Sequence, residues 1–280
     1  MPKPKVPHVT PEEIAARYNL PLDFVERQLG RAKLAMRPWT KDISIIEEGK
    51  EVVLSVTRLG VGVITTPYGK FWQYDFKLSD AWVKYSVLVC CHTLSPKLQP
   101  LWRNKDTLTM RTDSGCETGQ VFHDATCECR EQLHLAMQEL VRAGEGLIVN
   151  IPRQDGRGKG LPFKLATLLL QDALGVNTVE SASMLAEDGD IDVRTYAGVI
   201  AVIKFLGITT ETSINLVTNN PYKSNVFIEN GFKLTPFKAI VVPPTAHTAR
   251  HLQAKHEHLG HHHIGINVNG DGVVGFTVPA

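Results

Sequence analysis

Leu147-Ile148-Val149-Asn150-Ile151-Pro152-Arg153-Gln154-Asp155-Gly156-Arg157-Gly158-Lys159-Gly160-Leu161-Pro162-Phe163 is the stretch that decides the architecture. The apolar run Leu147 to Val149 reads as a buried strand, and the segment from Phe163 to Leu174 reads as a helix. Between them, glycines expose backbone N–H groups beside two arginines and a lysine, which makes an anion cradle at a helix entrance. The turn is not a nucleotide loop of the Gly-x4-Gly-Lys-Ser/Thr kind, because that pattern does not occur. Taken alone, a basic glycine-rich turn is equally a solvated loop.

Outward from this unit the strand and helix alternation repeats. Leu133, Met137, Leu140 and Val141 mark a helical face closed by Gly144. Further helices are expected over Arg194 to Leu206 and Tyr222 to Asn230, with strands over Ile214 to Val217 and Ala239 to Val242. Alternation of this kind predicts an α/β domain, a mixed sheet flanked by helices. Upstream the character changes. Val52-Val53-Leu54, Val61-Gly62-Val63-Ile64 and Tyr85-Ser86-Val87-Leu88 are β-rich runs punctuated by Gly60 and by Pro67-Tyr68-Gly69. At the start, Thr10-Pro11-Glu12-Glu13 has the composition of a capping box with proline in the first turn, and Phe24, Val25, Gln28 and Leu29 give a second amphipathic stretch ending near Met36. The expected organisation is a helical arm over 1–40, a β-rich lobe over 41–105, a catalytic domain over 106–262 and a tail over 263–280.

Composition removes several function classes. With 280 residues and 43% apolar content the chain can bury a large core. Thirty basic and 29 acidic residues leave a net charge of +1, so there is no electrostatic footprint for nucleic acid, and the two N-terminal helices read as packing or dimerisation elements rather than a DNA reader. No apolar run reaches the roughly 18 residues of a membrane span, and Met1-Pro2-Lys3-Pro4-Lys5 lacks the apolar stretch of a secretory signal, which points to a cytoplasmic protein. Five cysteines cannot all pair with one another, and Cys90-Cys91 follows Val87-Leu88-Val89 as expected of buried strand thiols.

The remaining cysteines carry the chemistry. Cys116, Cys127 and Cys129 form C-x10-C-x-C. Two cysteines one residue apart are poorly placed to bridge each other, so a metal explains the pair better than a disulfide. A structural zinc site is closed by four protein ligands, whereas a catalytic one keeps a place for water, and three thiolates therefore point to hydrolysis. The bland alternative is three unconnected thiols. Thr218-Asn219-Asn220-Pro221-Tyr222-Lys223 joins a strand to a helix and offers phosphate a hydroxyl, amides and an ammonium, or is an ordinary helix cap. Asp192-Val193-Arg194 sets a carboxylate and a guanidinium two residues apart at a helix entrance, which also describes a simple salt bridge. His256, His258, His261, His262 and His263 are dense but lack the H-E-x-x-H spacing of a zinc helix. Trp39, Trp72, Trp82 and Trp102 are expected in packing.

Asp113-Ser114-Gly115-Cys116-Glu117-Thr118-Gly119, Cys127-Glu128-Cys129-Arg130-Glu131-Gln132-Leu133, Arg153 to Arg157, Gln171-Asp172, Asn177-Thr178-Val179-Glu180 and Leu216 to Pro221 occur in one order over residues 111 to about 262. In that order they resemble GTP cyclohydrolase II, the family that opens the imidazole ring of GTP at the entrance to riboflavin synthesis. The resemblance implies that Cys116, Cys127 and Cys129 hold one zinc ion and that water activated by the metal attacks the ring. It implies catalytic roles for Asp192 and Arg194, the arginine acting on the α-phosphate as nucleophile or as phosphate stabiliser and the aspartate assisting proton transfer. Nucleotide contacts carried over by position are Arg111, Gln132, Asp155, Gly156, Arg157, Thr178, Thr218 and Lys223. A homodimer is implied, with Mg2+ accompanying the triphosphate.

Three departures bear on the substrate. Leu168 stands where the family commonly has tyrosine, Gly115 where it usually has glutamate, and Asp155 replaces glutamate in the cradle. A divergent branch linked to uracil catabolism also carries an added N-terminal region, and the chain is similar to that branch at several points. In that case the substrate is a uridine nucleotide. A nucleotide-binding regulatory protein without turnover is the expectation from a different class.

Overall fold

The computed structural model describes residues 6–79, 84–151, 153–236, 238–240 and 242–261, together with the backbone of 266–268 and 274–276. Helix α1 (Pro11–Tyr18) begins with the expected capping box, Thr10 and Glu13 each bonding the other's backbone, and α2 (Leu22–Ala35) follows. Neither buries a residue, so the arm rests on the body rather than forming part of its core.

Seven strands form one mixed sheet. In chain order they are β1 (Trp39–Glu47), β2 (Lys50–Thr66), β3 (Gly69–Leu78), β4 (Tyr85–Cys90), β5 (Thr107–Ser114), β6 (Gly146–Ile151) and β7 (Ser213–Leu216). Their spatial order is β1-β2-β3-β4-β6-β5-β7. The first four make an antiparallel meander, β4 pairs antiparallel with β6, and β5 runs parallel to both β6 and β7. The β-rich stretch and the α/β stretch thus share a single hydrogen-bonded sheet across residue 105.

The core follows the strand period of two. Val87, Val89, Leu147, Val149 and Ile151 face helix α6 (Ala197–Phe205), of which every residue but Lys204 is buried. Leu88 and Ile148 face the other way, onto Ala136, Met137 and Leu140 of α3 (Cys129–Ala143). The strand Leu147–Val149 and the helix ending at Gly144 are where the apolar pattern put them, with Gly144 in the left-handed conformation that ends α3. Helices α4 (Leu161–Leu174), α5 (Thr178–Leu185), α7 (Tyr222–Glu229) and α8 (Ala249–Leu259) complete the body. A short antiparallel ribbon, β8 (Ile266–Val268) and β9 (Val274–Phe276), lies beyond it.

Several elements differ from the sequence reading. Gly60 does not end a strand; it marks a bulge at Arg58/Gly60 inside the continuous β2, where the extra residue bends the ladder. The strand expected over Ala239 to Val242 is reduced to one isolated bridge between Val217 and Lys238, and Ala239 and Ile240 carry no strand. Asn219 explains this, since its side chain bonds the N–H and C=O of Ile240 in place of a strand neighbour. Cys90 and Cys91 are half-buried rather than buried. Trp39 meets Phe205 edge-on at 5.1 Å, Trp102 donates to the carbonyl of Leu206, and Trp72 packs against the core, while Trp82 lies outside the described residues. No helix among the described residues is long and apolar enough to cross a membrane.

Gly198 in α6 is where helix and sheet come closest. A Cβ there would collide with Tyr85 Oη and stand 2.8 Å from Leu78 Cδ2. Gly198→Ala should therefore lower stability by about 1–3 kcal/mol through overpacking, read as a lower urea midpoint at unchanged slope. An unchanged midpoint would contradict this packing.

Candidate active site

Parallel strands β5, β6 and β7 end on the same side of the sheet, and their exits supply the site, as expected of an α/β sheet. From β5 come Arg111 and Asp113, both buried. Asp113 is the hub: Oδ1 accepts from Arg111 Nε at 3.1 Å, and Oδ2 accepts from Gln120 Nε2 and Asn150 Nδ2, each at 2.7 Å. Arg111 Nη2 also donates to Gln132 Oε1 at 3.1 Å, so the arginine is aimed by two fixed acceptors.

Just past β5, Cys116 leads into a π-helical turn over Glu117–Val121, and Cys127 and Cys129 arrive on the loop that becomes α3. The three Sγ atoms lie within 4.8 Å of one another. Cys116 and Cys127 are 3.6 Å apart, far longer than a disulfide and close to the roughly 3.8 Å that Zn–S bonds of about 2.3 Å impose at a tetrahedral corner. The donor set therefore fits zinc with one corner open. Gly119 makes the approach possible, since a Cβ there would stand 2.8 Å from Cys127 Sγ and 3.2 Å from Cys116 Sγ. Lys164 of α4 donates to Cys116 Sγ at 2.8 Å. Hydrogen bonds from Cys127 and Cys129, aided by the Lys164 ammonium, hold the Cys116 thiol well below its ordinary range, while hydrogen bonding to Cys116 and burial push Cys129 up. A bound metal would displace the remaining protons.

The cradle after β6 is a short 3-10 turn over Asp155–Gly158 with left-handed backbone at Gly156 (φ 58°) and Arg157 (φ 55°). Asp155 Oδ1 accepts from the Glu117 N–H at 3.1 Å, which ties the cradle to the cysteine turn, and burial raises its pKa. Arg157 Nη2 donates to Thr178 O and Oγ1 at 3.1 and 3.3 Å, and burial together with Arg194 lowers its pKa to about 10. Arg194 is gripped at two of its three guanidinium nitrogens by Asp192, with Nε to Oδ1 at 2.8 Å and Nη2 on Oδ2. After β7, Thr218 Oγ1 accepts from the Asn220 N–H at 3.1 Å. Lys223 Nζ donates to the Thr112 carbonyl at 2.8 Å and sits 5.3 Å from the centre of the Tyr196 ring.

Arg111, Cys116, Cys127, Cys129, Gln132, Asp155, Gly156, Arg157, Thr178, Arg194, Thr218 and Lys223 all line one cavity. Asp192 does not line it and reaches it through Arg194. Leu168 is also in the wall. Sequence reasoning missed Lys164, Glu128, His251 and Lys255, which line the same cavity. Lys164 carried a signal, one helical turn past the cradle. The α8 residues carried none, because a histidine-rich segment reads as surface. Of the histidine cluster, His258 is exposed, His256 Nδ1 lies 2.9 Å from the His261 carbonyl, and His262 and His263 lie outside the described residues. Among the described residues, the group able to hold a metal is the cysteine trio.

Residues 63–237 match the sequence pattern of GTP cyclohydrolase II. The chain belongs to that family. A GTP cyclohydrolase-2 of Streptomyces coelicolor is 30% identical over 223 residues, covering 80% of this chain and 94% of that protein. One of Picrophilus torridus is 36% identical over 159 residues, covering 57% and 79%. The riboflavin biosynthesis protein RibBA of Endomicrobium trichonymphae is 34% identical over 198 residues, covering 71% of this chain, which spans 45% of that longer protein. The family match begins inside β2 and includes β3 and β4.

Burial, together with Arg111 and Arg194, pushes the Lys223 ammonium down to about 7 from 10.5. Between these values the unfolded chain binds a proton that the folded chain does not, so this lysine's contribution to stability improves as pH rises. The stability of Lys223→Met relative to the parent should therefore fall from pH 7 to pH 10 in urea titrations of the metal-free protein. A difference independent of pH would contradict the burial of an ammonium here.

Proposed function

We propose that the chain hydrolyses the heterocyclic ring of a nucleotide, with GTP as substrate and with zinc held by Cys116, Cys127 and Cys129. The observation that carries this reading is the convergence, on one cavity, of three sulfurs within 4.8 Å of one another with the basic side chains of Arg111, Arg157, Arg194 and Lys223. Zinc, when bound, would lower the pKa of a water and so supply a nucleophile at neutral pH.

The chain's own groups divide into two sets. At the phosphate end, Arg157 lines the cavity from the turn after β6, and Thr218 and Lys223 line it from the segment after β7. A guanidinium is too basic to serve as a free nucleophile, so Arg194 stabilises the phosphate charge, and Asp192 keeps its fork aimed. A phosphate beside Lys223 restores the charge that burial suppresses. At the base end, Asp155 and Gln132 offer hydrogen-bonding groups beside the sulfurs, and Arg111 orients Gln132. Self-association as a homodimer fits the exposed Leu165 and Leu169, one turn apart on α4.

Leu168 favours a second reading. It puts an apolar group in the cavity wall where the family resemblance expects a tyrosine, so the same site would open the ring of a uridine nucleotide. Zinc-loaded protein incubated in parallel with GTP, UTP and UMP, with products followed by mass, separates the two. The expected result is a formamide or diamine product from GTP and unchanged pyrimidines. A ring-opened ureido product from UMP or UTP would move the site to the second reading, and binding without any product would overturn hydrolysis.

A further inference from the structure

Helix α8 lies beyond residues 63–237, yet its inner face reaches the wall of the site. His251 and Lys255 are four residues apart, hence on one face of the helix, and both line the cavity. Across from them is the loop that delivers two of the sulfurs. Glu128 lies between Cys127 and Cys129 and is 4% exposed. A carboxylate so placed is costly unless a cation meets it. Lys255 Nζ meets Glu128 Oε1 at 3.4 Å.

A second pair of groups lies along the same line. Arg250 Nε donates to His251 Nε2 at 3.3 Å, which leaves the proton of the neutral ring on Nδ1, and that buried atom has no hydrogen-bond partner. Burial, with the charges of Arg250 and Lys255, pushes the imidazole down to about 4, and the Asp124 carboxylate opposes that shift from nearby. Asp124 Oδ2 is likewise buried without a partner. Its other oxygen accepts from Thr126 N–H and Oγ1 at 3.0 and 2.7 Å, and its carbonyl accepts from the Cys127 N–H at 3.1 Å. A donor on α8 and an acceptor on the cysteine loop are thus both left open, four residues before the Lys255 and Glu128 pair on each segment. Arg250 Nη1 anchors the outer side of the helix on the Gly175 carbonyl at 3.0 Å, at the end of α4.

We infer that α8 is a clamp on the metal-binding loop, with Lys255 a positioning residue that acts through Glu128 to hold Cys127 and Cys129 at the spacing a metal requires. The inference rests on the zinc reading above and assigns to it a part of the chain that the family match does not reach. Partners behind metal ligands typically contribute roughly 10–100-fold in metal affinity, because they remove the freedom the ligands would otherwise lose on binding.

The test is zinc affinity of the full chain, measured by competition with a chromophoric chelator, together with the sulfur-to-metal charge-transfer bands of the cobalt-substituted protein. Lys255→Met should weaken zinc binding by roughly 10–100-fold and perturb the cobalt bands. Lys255→Arg, which keeps the charge, should recover most of both. Lys255→Met alone leaves Glu128 buried and unpaired, so the double variant Lys255→Met with Glu128→Gln removes that charge and keeps the comparison in a folded protein; it should bind zinc no more tightly than Lys255→Met. Zinc binding and cobalt bands equal to the parent's in Lys255→Met, or in the double variant where the single one fails to fold, would overturn the clamp while leaving the metal site intact. A parent protein that binds no zinc would overturn the metal reading and the clamp with it.

Discussion

Three sulfurs brought within 4.8 Å of one another are the constraint around which the site is arranged. Three thiolates at that distance would repel, and the ammonium of Lys164, donating to Cys116, offsets part of that charge. The polypeptide keeps the sulfurs together through three features of the surrounding chain. Gly119 yields the volume a side chain would fill, Asp155 pins the cysteine turn to the cradle, and the buried Glu128 between two of the sulfurs meets Lys255.

The sheet explains why Arg111, Arg157, Lys223 and the sulfurs share one cavity. Because β5, β6 and β7 run parallel, their exits lie side by side, and three segments far apart in sequence reach the same place. Asp113 joins the first two exits, accepting from Arg111 on its own strand and from Asn150 on β6. Lys223, from the turn after β7, donates to the Thr112 carbonyl and so joins the third to the first. Helix α6, almost wholly buried, packs on one face of the same sheet and comes closest to it at Gly198, beside Leu78 and Tyr85.

How much of this was readable in advance varies with the range of the interaction. Local signals were sound: the capping box at Thr10, the left-handed stop at Gly144, the buried run Leu147 to Val149 and the glycine-rich turn before α4 all depend on neighbours in the chain. Spacing also brought the three cysteines together on paper as it does in the fold. Long-range pairing was the gap. Strand β5 reads as Thr-Leu-Thr-Met-Arg-Thr-Asp-Ser, and its buried charges on a central strand make sense only once Arg111 meets Asp113 and Gln132 in the fold. The bulge at Gly60 resembled a strand end because a glycine gives the same local sign in both cases. Helix α8 escaped notice since Lys255 and His251 gain meaning only from Glu128 and Asp124, more than a hundred residues earlier.

The hydrolytic account stands on a metal with three sulfur ligands and one position open to solvent. X-ray absorption at the zinc edge of the purified protein reads that arrangement directly. The account predicts three sulfur neighbours at about 2.3 Å and one oxygen or nitrogen neighbour at about 2.0 Å that changes when nucleotide is added. A fourth protein ligand closing the sphere, or no zinc edge at all, would contradict it.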